Sequence, residues 1–330
     1  IWCNCMKEFW VNQNKSIDFT VSERNAISIV RSCAMLMIVL CHLLQAYGNN
    51  WAWLFNAGVQ VFFVLSGYLY GHKFIADWRK WFGARIRKLY IPVALFSVVL
   101  LTVMKFACNE PVKLLNYVLY LLDIQAFRWG YNGLSHLWFM TAIAVCYATT
   151  PLLQRFKKFA PYLLLILLAA NALIYMMLKK DIACFTWISL YSAGYCYARL
   201  GRFRKYALCF FFVLFVLLTC YLNWEVILQY DNVLNKAWHG VAGVTFCLLG
   251  IKALSCLPVA RLMPAITPFD KYSFYIYITH HIFILGPLAL IPHVSSTYLA
   301  LSLVVVLTIL LTTALVMATN YINNKIIKTS

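Results

Sequence analysis

The chain has 330 residues, of which 63% are hydrophobic and only 12% charged, with a mean hydropathy of +0.76. Soluble domains are about half apolar and about a quarter charged, so a soluble fold is excluded, and recurrent apolar runs of about 20 residues call for a bilayer. The formal net charge of +18 suggests a nucleic-acid partner only until its distribution along the chain is read.

Residues 1–5 precede the first methionine, Met6, and are expected to be upstream readthrough; residues 1–25 are expected to form a cytoplasmic segment. No apolar core followed by a small-residue cleavage site occurs near the start, so a cleavable signal peptide is not expected. Spans are predicted near 26–48, 52–72, 89–108, 135–154, 160–178, 182–200, 206–223, 237–257, 268–290 and 298–322. The first contains "VRSCAMLMIVLCHLLQ" (30–45). Arg31 and His42 are eleven positions apart there, so on a helix they project about 20° from one another, roughly 16 Å apart along the axis. A charge at membrane depth costs about 2.5–3.5 kcal/mol, so Arg31 is expected to face a protein interior or a wet cavity unless it snorkels to the headgroups. His42 reads either as a working imidazole or as an interhelical hydrogen bond.

The second span carries "GVQVFFVLSGYLYGHK" (58–73), in which Ser66 and Gly67 permit close helix approach. The next connection holds Lys73, Arg79, Lys80, Arg85, Arg87 and Lys88. Arg85 and Lys88, three apart, are expected to share a helix face, and Trp78, Trp81, Phe82 and Tyr90 are expected to seat this loop at the interface. "HLWFM" (136–140) opens the fourth span with His136 and Trp138, and "YSFYIYITHH" (272–281) places His280 in the middle of the ninth. His72, His239, His281 and His293 are assigned to structure. The twelve cysteines are scattered, Cys3 and Cys5 being the closest pair, and read as small hydrophobes; neither a disulfide framework nor a metal site is expected. No glycine-rich phosphate loop, HExxH or GxSxG is present.

Counted over alternate connections and the span ends beside them, Lys and Arg divide 21 on one side of the predicted spans against six on the other. That asymmetry marks the cytoplasmic face. The expectation is therefore an all-α polytopic integral membrane protein of about ten transmembrane helices, with both termini cytoplasmic, one domain over 26–322 and a cytoplasmic tail over 323–330. The basic excess is an orientation signal, and no nucleic-acid partner is expected.

In content, order and spacing these blocks resemble the acyltransferase-3 family of integral membrane acyltransferases. Its Arg–ten residues–His first span is matched by Arg31 and His42, and its "GVxxFFVLSGY" block by Gly58 to Tyr68. Its basic pair before a proline is matched by Arg85 and Lys88 ahead of Pro92, and its "SxxIYLxH" span places His280 on the family histidine. Two positions depart: Ser28 stands where the family commonly has Asp, and the basic pair ends in Lys rather than Arg.

The resemblance implies an O-acyltransferase of the bacterial inner membrane, most readily an O-acetyltransferase. It would take an acyl group from cytoplasmic acyl-CoA, such as acetyl-CoA, to a hydroxyl of a cell-surface or lipid-linked glycan. Imidazole suits the removal of the acceptor proton near neutral pH, so His42 is the expected base, with Arg31 stabilising developing charge and His280 assisting. Arg85 and Lys88 are expected to hold the coenzyme A phosphates, while Ser66, Gly67 and Tyr68 line the acyl-donor channel. His136 and Trp138 are expected near the acceptor. No bound cofactor or metal is implied, and a separate extracytoplasmic acyl-transfer partner is allowed for. The competing reading is a transporter or flippase of a glycan-related substrate. Paired inverted segments broken by Gly or Pro would mark it, and the chain has none.

Overall fold

The computed structural model describes residues 16–128, 130–156, 160–178, 182–229 and 233–329, the side chains of 326–329 excepted. Lys7, Lys15, Lys157, Lys158, Lys179 and Lys180 of the charge alternation, and the Cys3–Cys5 pair, lie outside the described residues. The described residues contain helices and no strand: α1 (Val21–Ala46), α2 (Ala52–Phe55), α3 (Ala57–Gly71), α4 (Trp78–Arg85), a π-helical turn (Ile86–Tyr90), α5 (Ile91–Phe106), α6 (Leu114–Leu121) and α7 (Trp138–Arg155). The second half adds α8 (Ala160–Leu178), α9 (Ala183–Arg199), α10 (Arg204–Tyr221), α11 (Trp224–Ile227), α12 (Val233–Ser255), α13 (Met263–Thr279) and α14 (Thr297–Thr329).

Eight helical stretches among the described residues are long and apolar enough to cross a membrane, and the chain is an all-α, multi-pass membrane protein. The segments expected at 182–200 and 268–290 differ from the rest. Both α9 and α13 have 17 residues, which at 1.5 Å per residue gives about 25 Å, short of a hydrocarbon core of about 30 Å. The ninth expected span is moreover not one helix: α13 stops at Thr279 and a 3₁₀ turn follows at His281–Phe283.

Local chemistry explains several boundaries. A reciprocal capping box starts α1, with Thr20 N–H donating to Glu23 Oε2 at 2.9 Å and Glu23 N–H donating to Thr20 Oγ1 at 3.1 Å. Asp77 caps α4 by accepting from Lys80 N–H at 2.9 Å. Pro92 has no N–H to offer the carbonyl of Lys88, and the helix just before it widens to the π form.

The chain divides into two compact units. The first comprises the described residues of 1–41, 50–76 and 143–270, the second those of 42–49, 77–142 and 271–330. In the first unit α3 crosses α9 at backbone contact. A Cβ on Gly67 would overlap the Tyr191 carbonyl, and one on Gly194 would overlap the Val64 carbonyl. Gly67 and Gly71 on one helix face Gly194 and Ala198 on the other, a small-xxx-small pairing of the kind that lets membrane helices meet. Gly67 thus serves helix packing. The helix α12 also packs on α3, its Gly243 set against Gln60. On α8 and α10 the apolar side chains, among them Leu165, Met176, Phe210 and Leu217, are exposed, as a surface bathed in lipid requires. In the second unit α5 packs with α6 and α14 around Leu101 and Met104, both fully buried.

Candidate functional site

Four of the seven histidines meet in the second unit. The site begins at the end of α13, where a helix leaves its last carbonyls without intrahelical partners. His280 follows that end directly. Its Nδ1 lies 3.0 Å from the Ile276 carbonyl and 2.9 Å from the Tyr277 carbonyl. Two acceptors there require Nδ1–H as donor, which leaves Nε2 with the lone pair. That nitrogen stands 2.8 Å from His42 Nδ1. His42 is therefore protonated at Nδ1, and the basic lone pair lies on its Nε2.

The other two imidazoles are held the same way. His281 Nδ1 donates to the Gly133 carbonyl at 3.0 Å. Gly133 has φ +82° and faces Gly286 at φ +109°, the left-handed region that favours glycine, and a Cβ on Gly286 would lie 2.5 Å from the Gly133 Cα. His136 Nε2 donates to the Ile278 carbonyl at 3.1 Å, and the Tyr277 hydroxyl donates to the His136 carbonyl. The His136 ring stacks on His281 with centroids 4.3 Å apart, and His42 lies edge-on to His281 at 4.6 Å. His136, His280 and His281 are buried, whereas His42 is half-buried. His42 is the member of the cluster with the greatest access from outside.

A polar network supports the turn that carries His136. Gln125 Nε2 donates to the Leu137 carbonyl and to Asp123 Oδ1, both at 2.9 Å, and the Thr141 hydroxyl donates to Asp123 Oδ1 at 3.3 Å. Burial pushes the Asp123 carboxyl up to about 6 against the two hydrogen bonds that lower it. Tyr120 OH donates to the Leu134 carbonyl at 3.2 Å and accepts from Tyr131 N–H at 3.0 Å.

Sequence reading missed His281 and this network. On the continuous helix expected over 268–290, neighbouring residues diverge by about 100°, so the second of two adjacent histidines should point away. The break after Thr279 removes that constraint. The expectation that His280 lies mid-span is corrected for the same reason: it stands just past the helix end. The repeated histidine in "ITHH" was the available signal.

Arg31 belongs to the first unit. Its Nη1 donates to Asp270 Oδ1 at 3.1 Å and to Oδ2 at 3.2 Å. Ser28 left the carboxylate partner open in the sequence, and α13 supplies it from 239 residues away. Also in the first unit, Tyr68 is buried, with His72 edge-on at 4.4 Å, and Ser66 is half-buried. In the second unit, Arg85 ends α4 half-buried and Lys88 stands exposed in the π turn. The pair thus straddles the junction of α4 and the π turn. Trp81 contacts Trp78 and Phe82 edge-on at 5.7 and 4.8 Å. Trp138 opens α7 half-buried, its ring 6.3 Å from Phe139. Among the described residues no group of three or more His, Cys, Asp or Glu is arranged to hold a metal ion.

Comparisons with curated proteins and with solved structures return no significant match. A family model described as an acyltransferase domain matches residues 24–321, a stretch that takes in both units and every candidate residue named above. The chain therefore belongs to the acyltransferase-3 family and is a membrane acyltransferase.

Proposed function

We propose that this protein is an O-acyltransferase, most readily an O-acetyltransferase, of the bacterial inner membrane. It moves an acyl group from cytoplasmic acyl-CoA to a hydroxyl of a cell-surface or lipid-linked polysaccharide. The catalytic domain is 26–322, with short cytoplasmic segments on either side. The observation that carries the reading is the His42 Nδ1 to His280 Nε2 contact of 2.8 Å, backed by the two carbonyls that set the His280 tautomer.

In this reading His42 Nε2 takes the proton of the acceptor hydroxyl as its oxygen attacks the thioester carbonyl. The new C–O bond forms, the C–S bond breaks, and the imidazolium returns the proton to the departing thiolate. His280 accepts the His42 Nδ1–H throughout, so the positive charge that forms on His42 is met by a fixed lone pair. Arg31, His136 and Trp138 stand for oxyanion and acceptor contacts, and Arg85 with Lys88 for the donor phosphates. The lipid bilayer, the glycan and a separate extracytoplasmic acyl-transfer protein are the partners this reading allows.

The test is glycan O-acylation in a deletion strain complemented with each variant, protein level being followed by immunoblot. His42→Ala removes the base, and the loss is expected at 10²–10⁴-fold with normal membrane insertion. Full acylation by His42→Ala at normal abundance would overturn the assignment and favour the transporter or flippase reading.

A further inference from the structure

The first unit holds a cavity of about 540 Å³, within the size range of ligand sites, and distinct from the histidine cluster of the second unit. Four cations line it: Arg202, Arg204, Lys205 and Lys252. They come from the turn before α10, from its first residues and from the far end of α12. One carboxylate, Glu23, also reaches it, but that group is committed to Thr20 N–H and Thr20 Oγ1 in the α1 capping box at 2.9 and 3.1 Å. The cavity therefore carries a positive excess from chain segments far apart in sequence.

Its cations differ in how they are held. Arg204 is half-buried and anchored: Nε donates to the Tyr197 carbonyl at 3.2 Å, and Nη2 donates to the Ala198 carbonyl and lies 3.3 Å from His72 Nε2. His72 is in turn oriented by donating Nδ1–H to the Tyr68 carbonyl at 2.9 Å. Arg202, Lys205 and Lys252 are exposed. Along the same two helices the lining turns apolar, with Leu208 and Phe212 following Lys205 on α10 and Leu248 one turn before Lys252 on α12, and Tyr68 of the "FFVLSGY" block borders it. An anchored guanidinium, an exposed cationic rim and an apolar lining together fit a ligand with an anionic head and a hydrocarbon body. Multiple cations favour an oxyanion with several acceptor oxygens, which is the chemistry of a phosphate.

We infer that this cavity binds an organic phosphate carrying an acyl chain, its phosphate held by Arg202, Arg204, Lys205 and Lys252 and its chain laid along Leu208, Phe212 and Leu248. Two sources have that chemistry: an acyl donor with its nucleotide phosphates, and an anionic phospholipid. The donor source rests on the acyl-transfer reading and the lipid source does not, and both are tested by binding alone.

The full chain, purified in a maltoside detergent, is titrated with octanoyl-coenzyme A, which carries both the phosphates and an acyl chain, by calorimetry and, separately, with phosphatidylglycerol in mixed micelles by native mass spectrometry. The variant is Arg202→Gln, Lys205→Gln and Lys252→Gln together, with Arg204 left in place because it ties α9 to α10. A control removes three exposed cations elsewhere: Arg261→Gln, Lys271→Gln and Lys325→Gln. The expected result is that the first triple variant weakens one probe by about tenfold or more, while the control does not. Loss of octanoyl-coenzyme A binding identifies the donor as the source and moves the donor phosphates from Arg85 and Lys88 to this cavity, and loss of phosphatidylglycerol binding identifies the lipid. The inference fails if the wild type binds neither probe, if the first variant binds both as the wild type does, or if the control loses as much. Should the triple variant misfold, Lys252→Gln alone must still weaken the same probe by about threefold, and Lys205→Arg with Lys252→Arg must retain it.

Discussion

An imidazole works as a base only in the tautomer that turns a lone pair toward its substrate, and in this protein that choice is made by backbone carbonyls. Replacing His280 by Phe keeps a ring of similar bulk but removes the acceptor for His42 Nδ1–H. Hydrogen bonds to charged groups contribute about 1.5–3 kcal/mol, so kcat is expected to fall roughly tenfold to a hundredfold with little change in KM; a rise in KM alone would show that His280 serves binding instead. Asp123 makes a second prediction, through stability. Its carboxyl is raised to about 6 by burial, above its ordinary value of 3.8. Folding therefore disfavours the ionised form, and the stability the protonated group lends is present at low pH and lost as pH rises through about 6. Asp123→Asn removes that loss and keeps a residue that tolerates the positive φ of 53° at this position. Thermal melts should show the variant gaining on the wild type above about pH 6 and not below about pH 4; a pH-independent difference would contradict this.

At the scale of elements, the α3–α9 crossing depends on the absence of side chains at two glycines. Gly67→Ala or Gly194→Ala places a methyl group into an opposing carbonyl, so each is expected to lower the melting temperature and the detergent-extracted yield. The drop should be larger than for Gly83→Ala, where a Cβ meets nothing closer than 4.0 Å. Equal behaviour of the three would mean that the helices do not meet at backbone distance. The basic segment around the π turn makes a kinetic prediction. If Arg85 and Lys88 hold the phosphates of the donor, Arg85→Gln with Lys88→Gln raises the KM for acyl-CoA at least about tenfold while the protein remains in the membrane. Unchanged kinetics would return the pair to an orientation role, and the cations around Tyr68 would then be the stronger candidates for that contact.

At the scale of the whole molecule, ten crossings require that the two 17-residue helices cross despite their length. Reporter fusions after residues 130 and 178 should then read outside, and fusions after 80 and 203 cytoplasmic, in keeping with the division of Lys and Arg. The pair at 178 and 203 brackets α9. The same side reported for both would remove that crossing, and a cytoplasmic report at 130 would overturn the ten-span arrangement altogether.

Composition and spacing alone determined that this is an all-α multi-pass protein, because lipid leaves only self-satisfied helices or closed barrels to a chain so poor in charge. They also made Arg31 and His42 conspicuous on one helix face, since polar groups inside apolar runs cost free energy to bury, whereas His136 and His280 were set apart from the other histidines by the family resemblance. Which of those groups meet was decided by tertiary structure. Asp270 pairs with Arg31 across 239 residues, and His42 reaches His280 across 238, separations that no local periodicity encodes. His281 was hidden because a helical period was carried past Thr279, where the backbone stops following it. The tautomers of the cluster likewise depend on carbonyls at Gly133, Ile276, Tyr277 and Ile278. A carbonyl is present at every residue, so its role becomes visible only when the fold brings an imidazole to it.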